Sequence, residues 1–271
     1  MSFAPPSAPP AGWYHDPWGR ATYRWWDGQA WSWQELTPPP PKPPLPSLPI
    51  TAGVWGVLAT IAVMVMLPAL AALFTLFLPT VPAVVLVALT LYGPMAWFCF
   101  YASRHWGTGD VRADLGVAVK PIDAALGVAA VFIALQAERL ALLAIELLHL
   151  PVRSNTDSLS PSDDRGLYLA LAAVAIVAAP LVEELFFRGL LLSALRSRFR
   201  PVAAIAAQGV VFGAYHVSPV YGWGNIGLVV ILATVGVVFG AFAQRTRRLG
   251  PGMVGHALLN TLVFVVLLAT R

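Results

Sequence analysis

Apolar residues run almost without interruption from residue 51 to the end of the chain. A helix needs about 20 mostly apolar residues to cross the hydrocarbon core of a membrane, and prolines, glycines and short basic loops divide the run into segments of roughly that length. The predicted spans are 53–78, 82–103, 123–149, 167–193, 201–218, 226–244 and 252–270. This pattern predicts an all-α polytopic membrane protein with about seven transmembrane helices.

Residues 11–36 have a different pattern, short and rich in tryptophan. The segment YRWW at Tyr23–Trp26 is typical of a strand, and the DG dipeptide after it is typical of a type I′ hairpin turn. The segment 31–33 then predicts a return strand. We expect a small, soluble, β-rich module, followed at 37–50 by a proline-rich linker in the semi-rigid polyproline II conformation.

Composition supports the membrane assignment. Hydrophobic residues make up 58% of the chain and charged residues 11%, whereas a soluble domain has about 25% charged residues. The net charge of +4 is not a nucleic-acid signature, so we expect a lipid bilayer and no nucleic acid as partner. The single cysteine, Cys99, excludes an intramolecular disulfide.

Several features predict a multi-pass protein of the bacterial cytoplasmic membrane. Arginine far outnumbers lysine, and alanine and proline are abundant, which is typical of a GC-rich bacterial genome. The chain opens without the basic and apolar segments of a cleaved signal peptide. Basic residues concentrate in alternate loops, which predicts a cytoplasmic N-terminus. A polar, acidic loop separates N-terminal helices in 51–150 from a C-terminal core in 165–271.

Three polar spacings interrupt the apolar sequence of this C-terminal core. They are EExxxR at Glu183, Glu184 and Arg188, FxxxH at Phe212 and His216, and HxxxN at His256 and Asn260. A charged side chain at the centre of a bilayer costs roughly 2.5–3.5 kcal/mol on insertion scales. Such residues usually face an interior and carry function. We therefore expect three helices to contribute to one buried polar site.

The spacings suggest a role for each glutamate. Glu184 and Arg188 are four residues apart, which predicts an ion pair on one helix face, while Glu183 points about 100° away. We expect Arg188 to hold Glu184 ionised and Glu183 to act as a general base. The alternative is a structural Glu–Arg pair that bridges helices.

The histidines complete the predicted chemistry. His216 is expected to position and polarise a water with Glu183. His256 and Asn260 lie one turn apart and offer hydrogen-bond donors to a developing oxyanion. The alternatives are an interfacial histidine at a helix end and hydrogen bonds between helices. Glutamate and histidine also bind zinc, so a divalent metal held by Glu183, His216 and His256 stays open beside a metal-free mechanism.

Together the three motifs resemble those of the CPBP family of intramembrane proteases, also called the CAAX-protease, bacteriocin-processing or Abi family. The resemblance covers roughly residues 165–270 and shows no departure from the family's pattern. It implies a glutamate-dependent endopeptidase in which Glu183 and His216 activate water and His256 and Asn260 form the oxyanion hole. Separately, residues 12–31 resemble a tryptophan-rich actinobacterial module of unknown function, with His15 where proline is common.

Three functions fit this pattern. The first is hydrolysis of a peptide bond in a membrane-associated protein or peptide. The second is a non-catalytic membrane scaffold or bacteriocin self-immunity protein, which has no need of Glu183. The third is a transporter with a glutamate proton relay, against which stands the lack of an internal repeat. Convergence of the motifs on one site requires close helix packing, which Gly209, Gly213 and Gly255 permit.

Overall fold

The computed structural model describes residues 9–37, 47–154 and 165–269. They belong to two compact units, one within the first range and the other formed by the remaining two. Residues 38–46 of the predicted proline-rich linker, 37–50, and residues 155–164 of the polar loop lie outside the described residues.

Three short antiparallel strands make up the N-terminal unit, in the order β1 (Gly12–His15), β2 (Tyr23–Trp26) and β3 (Trp31–Leu36). The predicted hairpin between β2 and β3 is confirmed. Its turn is longer than the expected two-residue type I′ turn. The Asp27 carboxylate accepts hydrogen bonds from the backbone N–H groups of Gln29 and Ala30, both at 2.7 Å. These local bonds stabilise a four-residue connection.

A buried arginine ties this small sheet together. Arg24 donates from Nε to the Asp16 carboxylate at 2.8 Å and from Nη1 to the Ser32 carbonyl at 3.0 Å, and it also bonds Glu35. Its guanidinium lies 4.8 Å from the ring centre of Trp18. The hydrogen bond from Arg24 lowers the pKa of Asp16 to about 2. The pair is therefore ionised at neutral pH.

The second unit is all helical in its described residues. Its helices are α1 (Ile50–Phe77), α2 (Thr80–Trp106), α3 (Val111–Leu115), α4 (Ile122–Leu147), α5 (Arg165–Arg196), α6 (Pro201–Tyr215), α7 (Asn225–Thr246) and α8 (Gly250–Ala269). Six of these described helices, α1, α2, α4, α5, α8 and α7 with the turn before it, are long and apolar enough to cross a membrane. The all-α polytopic fold class is thereby confirmed.

Helix α6 differs from its predicted span, 201–218. It begins at Pro201 and ends at Tyr215, and its 15 residues give a length of about 22 Å at 1.5 Å per residue. The hydrocarbon core is about 30 Å thick, so α6 is too short to cross it. The predicted orientation alternated over seven full spans and therefore stays a prediction.

Glycines let the helices that carry the second and third motifs pack closely on their neighbours. Helix α6 packs on α7, and α8 packs on α4. A Cβ atom on Gly213 would lie 2.5 Å from the carbonyl oxygen of Val229 in α7, and one on Gly255 would lie 3.1 Å from the carbonyl oxygen of Gly127 in α4. A Cβ atom on Gly209 would lie 2.8 Å from the carbonyl oxygen of Ala233 in α7. The predicted role of these glycines in close packing is confirmed.

Helix α5 carries the glutamates and departs from regular α-helical geometry at two places. The segments Val174–Ala178 and Glu184–Leu191 are π-helical. In a π-helix each N–H bonds the carbonyl five residues earlier, which widens the turn and frequently marks a functional site. The second segment begins at Glu184 and contains Arg188.

Candidate active site

The two glutamates of α5 are both buried. Glu183 is the last residue before the π-helical segment and is 3% exposed, and Glu184 is its first residue and is fully buried. The predicted ion pair is confirmed, since Arg188 Nη1 lies 2.9 Å from Glu184 Oε1. The two charged groups lie close together, but no Arg188 nitrogen makes a hydrogen bond of acceptable geometry to a described residue.

Aromatic rings replace the missing hydrogen-bond partners of this arginine. The Arg188 guanidinium carbon lies 4.3 Å from the ring centre of Phe212 on α6 and 5.5 Å from that of Phe239 on α7. A cation over an aromatic face gains roughly 2 kcal/mol or more where both are shielded from water. Phe212 thus supports the cation that pairs with Glu184.

His256 joins the two glutamates. Its Nδ1 lies 3.3 Å from Glu184 Oε1, and its Nε2 lies 3.9 Å from Glu183 Oε2. Both carboxylates therefore reach one imidazole, although the helical spacing had suggested that they point about 100° apart. Their side chains converge at the junction where α-helical backbone gives way to the wider π-helical turn. A hydrogen bond between Nδ1 and Glu184 would fix the orientation of the ring.

One carboxylate oxygen of Glu183 accepts a hydrogen bond, and the other has no hydrogen-bond partner among the described residues. Tyr92 on α2 donates its hydroxyl to Glu183 Oε1 at 3.1 Å, whereas Oε2 is buried without a hydrogen-bond partner among the described residues. Buried polar atoms are nearly always hydrogen-bonded, to protein or to water. The orphaned oxygen lies on the side of His256.

Glycine is required next to the second glutamate. A Cβ atom on Gly252, at the start of α8, would lie 2.2 Å from Glu184 Oε2. No side chain fits there without displacing the carboxylate, so the backbone of α8 itself forms one wall of the site.

His216 lies just after the end of α6, packed on the motif phenylalanine. Its ring centre is 5.0 Å from that of Phe212, and His256 contacts the same ring at 5.9 Å. The Nδ1 atom of His216 is 2.9 Å from the Phe212 carbonyl oxygen, which assigns the hydrogen to Nδ1 and leaves Nε2 as an acceptor. The short length of α6 places this histidine near the other motif residues.

Asn260 is engaged away from the carboxylates. Its Nδ2 donates to the Ala175 carbonyl oxygen at 2.6 Å. Ala175 belongs to the first π-helical segment of α5, where the altered bonding pattern turns a backbone carbonyl toward a neighbouring helix. The bond ties α8 to α5 one turn beyond His256.

The side chain of Asn260 also borders a large cavity. This cavity has a volume of about 680 Å³ and lies among α4, α7 and α8, with Glu138 of α4 in its wall. Most of its lining is aliphatic.

The described residues contain no group of three histidine, cysteine, aspartate or glutamate side chains arranged to hold a metal ion. Glu183, His216 and His256 therefore do not form a three-ligand site in this conformation. No step of the mechanism below is assigned to a metal.

All seven motif residues lie within one family match. Residues 165–262 match the family model of type II CAAX prenyl endopeptidase Rce1-like proteins, in agreement with the resemblance that the three motifs carry. No curated protein and no solved structure matches the chain.

Two contributors to the site escaped sequence reasoning, Tyr92 and Gly252. Tyr92 lies on α2, outside the matched region. The only local signal for it is a hydroxyl in the apolar run LTLYGPM. Gly252 stands among three glycines at the start of α8, and nothing in its spacing points to a carboxylate.

Proposed function

We propose that this chain is an intramembrane endopeptidase in which Glu183 activates the water that hydrolyses a peptide bond. One observation carries the proposal: the buried Oε2 atom of Glu183 has no partner among the described residues and lies 3.9 Å from His256 Nε2. A carboxylate oxygen in this position is suited to bind a water and take its proton.

The surroundings of Glu183 divide its two oxygens between two tasks. The Tyr92 hydroxyl holds Oε1, so Oε2 is the oxygen that accepts the proton. The hydroxide oxygen then attacks the carbonyl carbon of the scissile bond and gives a tetrahedral oxyanion. Glu183 returns the proton to the amine nitrogen as the C–N bond breaks. The products are a new carboxylate and a new amine.

The other motif residues position these groups. Arg188 and His256 both contact Glu184 Oε1, so Glu184 orients His256 rather than reacting. His216, with Nε2 as acceptor, is assigned to the positioning of the water. An asparagine amide has two N–H donors, and we assign the second one of Asn260 to the oxyanion, together with the Nε2–H of His256 in its imidazolium form, in which both ring nitrogens donate.

The substrate we propose is a membrane-associated protein or peptide in a bacterial cytoplasmic membrane, with the N-terminus of the enzyme in the cytoplasm. The cavity beside Asn260 supports this assignment because its aliphatic lining suits an apolar segment. Among the described residues that line this cavity, Glu138 is the one acidic residue. It is placed to contact a polar or basic residue of the substrate.

The test compares membrane proteomes and C-terminal peptide profiles of cells that carry wild-type protein, Glu183→Gln or Glu146→Gln. Glu146 is an exposed glutamate at the far end of α4 and serves as the matched control. We expect trimmed termini with wild type and Glu146→Gln and none with Glu183→Gln. Identical profiles for all three, with equal rescue of a deletion phenotype, would instead support a scaffold.

A further inference from the structure

One face of the N-terminal sheet is covered by aromatic rings. Cross-strand neighbours share a face of a sheet, and successive residues of a strand alternate between its two faces. The register of β1 and β2 therefore places Trp13 beside Trp25 and His15 beside Tyr23 on the same face. The ring centres lie 5.5 Å apart in the first pair and 5.0 Å apart in the second. Trp13 is 45% exposed and His15 is exposed too. These four residues are called the aromatic face.

The opposite face of the sheet shows how this unit binds prolines. Trp26 donates its indole N–H to the Pro9 carbonyl oxygen at 3.0 Å, and Tyr14 donates its hydroxyl to the Pro10 carbonyl oxygen at 2.8 Å. Proline has a carbonyl acceptor and no N–H donor, whereas the tryptophan indole is a donor only. The two residue types are therefore complementary in hydrogen bonding, and the sheet uses this complementarity within its own chain.

The aromatic face carries donors of the same kinds that have no protein acceptor. Among the described residues, none accepts a hydrogen bond from the indole N–H of Trp13 or Trp25, or from the Tyr23 hydroxyl. Domains that recognise proline-rich peptides bind a polyproline II helix on an aromatic-lined surface. Such a helix makes no internal hydrogen bonds, so its carbonyl oxygens are available to donors of this kind.

We propose that the aromatic face binds the proline-rich linker segment 38–46 of a second copy of this chain. Seven of the nine residues in PPPPKPPLP are proline, and in the predicted polyproline II conformation they extend about 28 Å, at roughly 3.1 Å per residue. Strands β1 and β2 each have four residues, or about 13 Å at 3.3 Å per residue. The segment is therefore long enough to cross the whole face.

The position of the linker favours a second copy over the same chain. The segment follows β3 after a single residue, Thr37. A proline-rich segment is semi-rigid, so one that leaves the sheet at this point does not fold back over it. The linker of another copy has no such constraint. Copies held in one membrane present their N-terminal units at a high effective concentration.

The first test measures energy transfer between full-length copies that carry donor or acceptor dyes at the N-terminus, in phosphatidylcholine vesicles of increasing protein density. The variant Trp13→Phe/Trp25→Phe keeps both rings and removes both indole N–H groups. The control is Trp18→Phe, whose ring contacts Trp31 and Arg24 on the opposite face. We expect wild type and control to associate alike. The double variant should need on the order of tenfold higher density, because two hydrogen bonds are lost.

A mixing experiment identifies the segment that is bound. One protein is Trp13→Phe/Trp25→Phe with its linker intact, and the other has residues 38–46 replaced by glycine and serine with its aromatic face intact. At a density where neither associates with itself, we expect the mixture to associate, because one intact face meets one intact linker. If near-UV circular dichroism shows that the double variant has lost its ring packing, each single variant replaces it.

Three results would overturn the proposal. The first is association of the glycine–serine protein with itself at the density that wild type needs, since another surface would then join the copies. The second is equal association of wild type and the double variant. The third is no association of wild type, and a blue shift of its tryptophan fluorescence in vesicles would then assign the aromatic face to lipid.

Discussion

The two units of this chain each bury an arginine beside a carboxylate, and they treat it in opposite ways. In the N-terminal sheet, Arg24 is hydrogen-bonded to Asp16, to a backbone carbonyl and to Glu35. In the membrane unit, Arg188 contacts Glu184 at 2.9 Å yet has no geometrically satisfied hydrogen bond to a described residue. The Arg24 guanidinium thus has hydrogen-bond partners, and its pair with Asp16 stabilises the N-terminal sheet. The Arg188–Glu184 pair is incomplete, and incomplete buried polarity is expected at sites built for chemistry.

A partly buried arginine, Arg248, shows that position in the membrane unit does not by itself cause this difference. Arg248 binds Asp123 through three hydrogen bonds at 2.6 to 3.0 Å and so joins the loop before α8 to the start of α4. It resembles Arg24 rather than Arg188. The unsatisfied atoms of the membrane unit include Oε2 of both glutamates and the nitrogens of Arg188.

The largest effect is expected from removal of the central cation. Arg188→Gln leaves Glu184 buried and unpaired, and loss of one partner of a buried pair costs about 3–5 kcal/mol of stability. We expect a lower Tm in detergent and no turnover. The double variant Arg188→Gln/Glu184→Gln removes both charges, so it should recover much of the Tm and none of the activity. Recovery of both would show that the pair is structural, as in the N-terminal unit.

A smaller but still severe effect is expected at the wall of the site. Gly252→Ala introduces a Cβ atom 2.2 Å from Glu184 Oε2, so the carboxylate must move and His256 loses its orienting partner. We expect the loss in kcat to approach the 10²-fold that a misplacement of about 1 Å can cause. The control is Gly93→Ala on α2, where a Cβ atom meets nothing within 4 Å. Equal activity of the two variants would contradict the placement of Glu184 against α8.

Loss of the tyrosine hydroxyl should have a moderate effect. Tyr92→Phe removes the hydrogen bond to Glu183 Oε1 but leaves the ring in place. The net value of a hydrogen bond to a charged group is about 1.5–3 kcal/mol, which corresponds to a decrease of roughly ten- to a hundredfold in kcat. Tyr101→Phe, on the same helix and packed on exposed rings, is the control. An unchanged kcat for Tyr92→Phe would exclude a positioning role.

The smallest effect on turnover is expected in the N-terminal unit. Asp16 has a pKa of about 2 in the fold, against 3.8 for an unperturbed carboxyl. A lowered pKa contributes stability that is present above the unfolded value and lost as the pH falls through the folded one. Tryptophan fluorescence of the wild type should therefore stay constant from neutral pH to about pH 4 and change below it.

The variant Asp16→Asn should show the altered fluorescence already at neutral pH, because its side chain cannot form the ion pair with Arg24. Peptide-bond hydrolysis by the membrane unit should be unaffected. A loss of turnover in this variant would show that the sheet participates in catalysis. The comparison between a structural and a functional arginine would then need revision.

Sequence patterns predicted the Glu184–Arg188 pair of the membrane unit but not the Arg24–Asp16 pair of the N-terminal unit. The i, i+4 spacing predicted the pair of Glu184 and Arg188 because a helix places such residues on one face, and the DG dipeptide predicted the hairpin. The pairing of Arg24 with Asp16 and Glu35 was not foreseen, since it depends on the register of three strands. Tyr92 lies 91 residues from Glu183 in sequence, and only the tertiary packing of α2 brings it near.

The limits of helical periodicity explain two further differences. It predicted that Glu183 and Glu184 point about 100° apart, but not that both carboxylates lie within 3.9 Å of the one imidazole of His256. It also predicted a spanning helix at 201–218, which instead stops at Tyr215. Pro219 lies four residues beyond the end of the helix, and proline disfavours helical backbone in the residue that precedes it. Ser218 is accordingly extended, with φ −122° and ψ 133°.

The most direct test of the central claim asks whether water is added to a peptide bond under the control of Glu183. Membranes with wild-type protein or Glu183→Gln are incubated in water enriched in ¹⁸O, and new C-terminal peptides are analysed by mass spectrometry. Hydrolysis places one oxygen atom from water in each new carboxylate. We predict ¹⁸O-labelled termini that appear with wild type and not with Glu183→Gln, although both proteins fold to the same Tm. Labelled termini in equal amounts from both would contradict the assignment of Glu183 as the base.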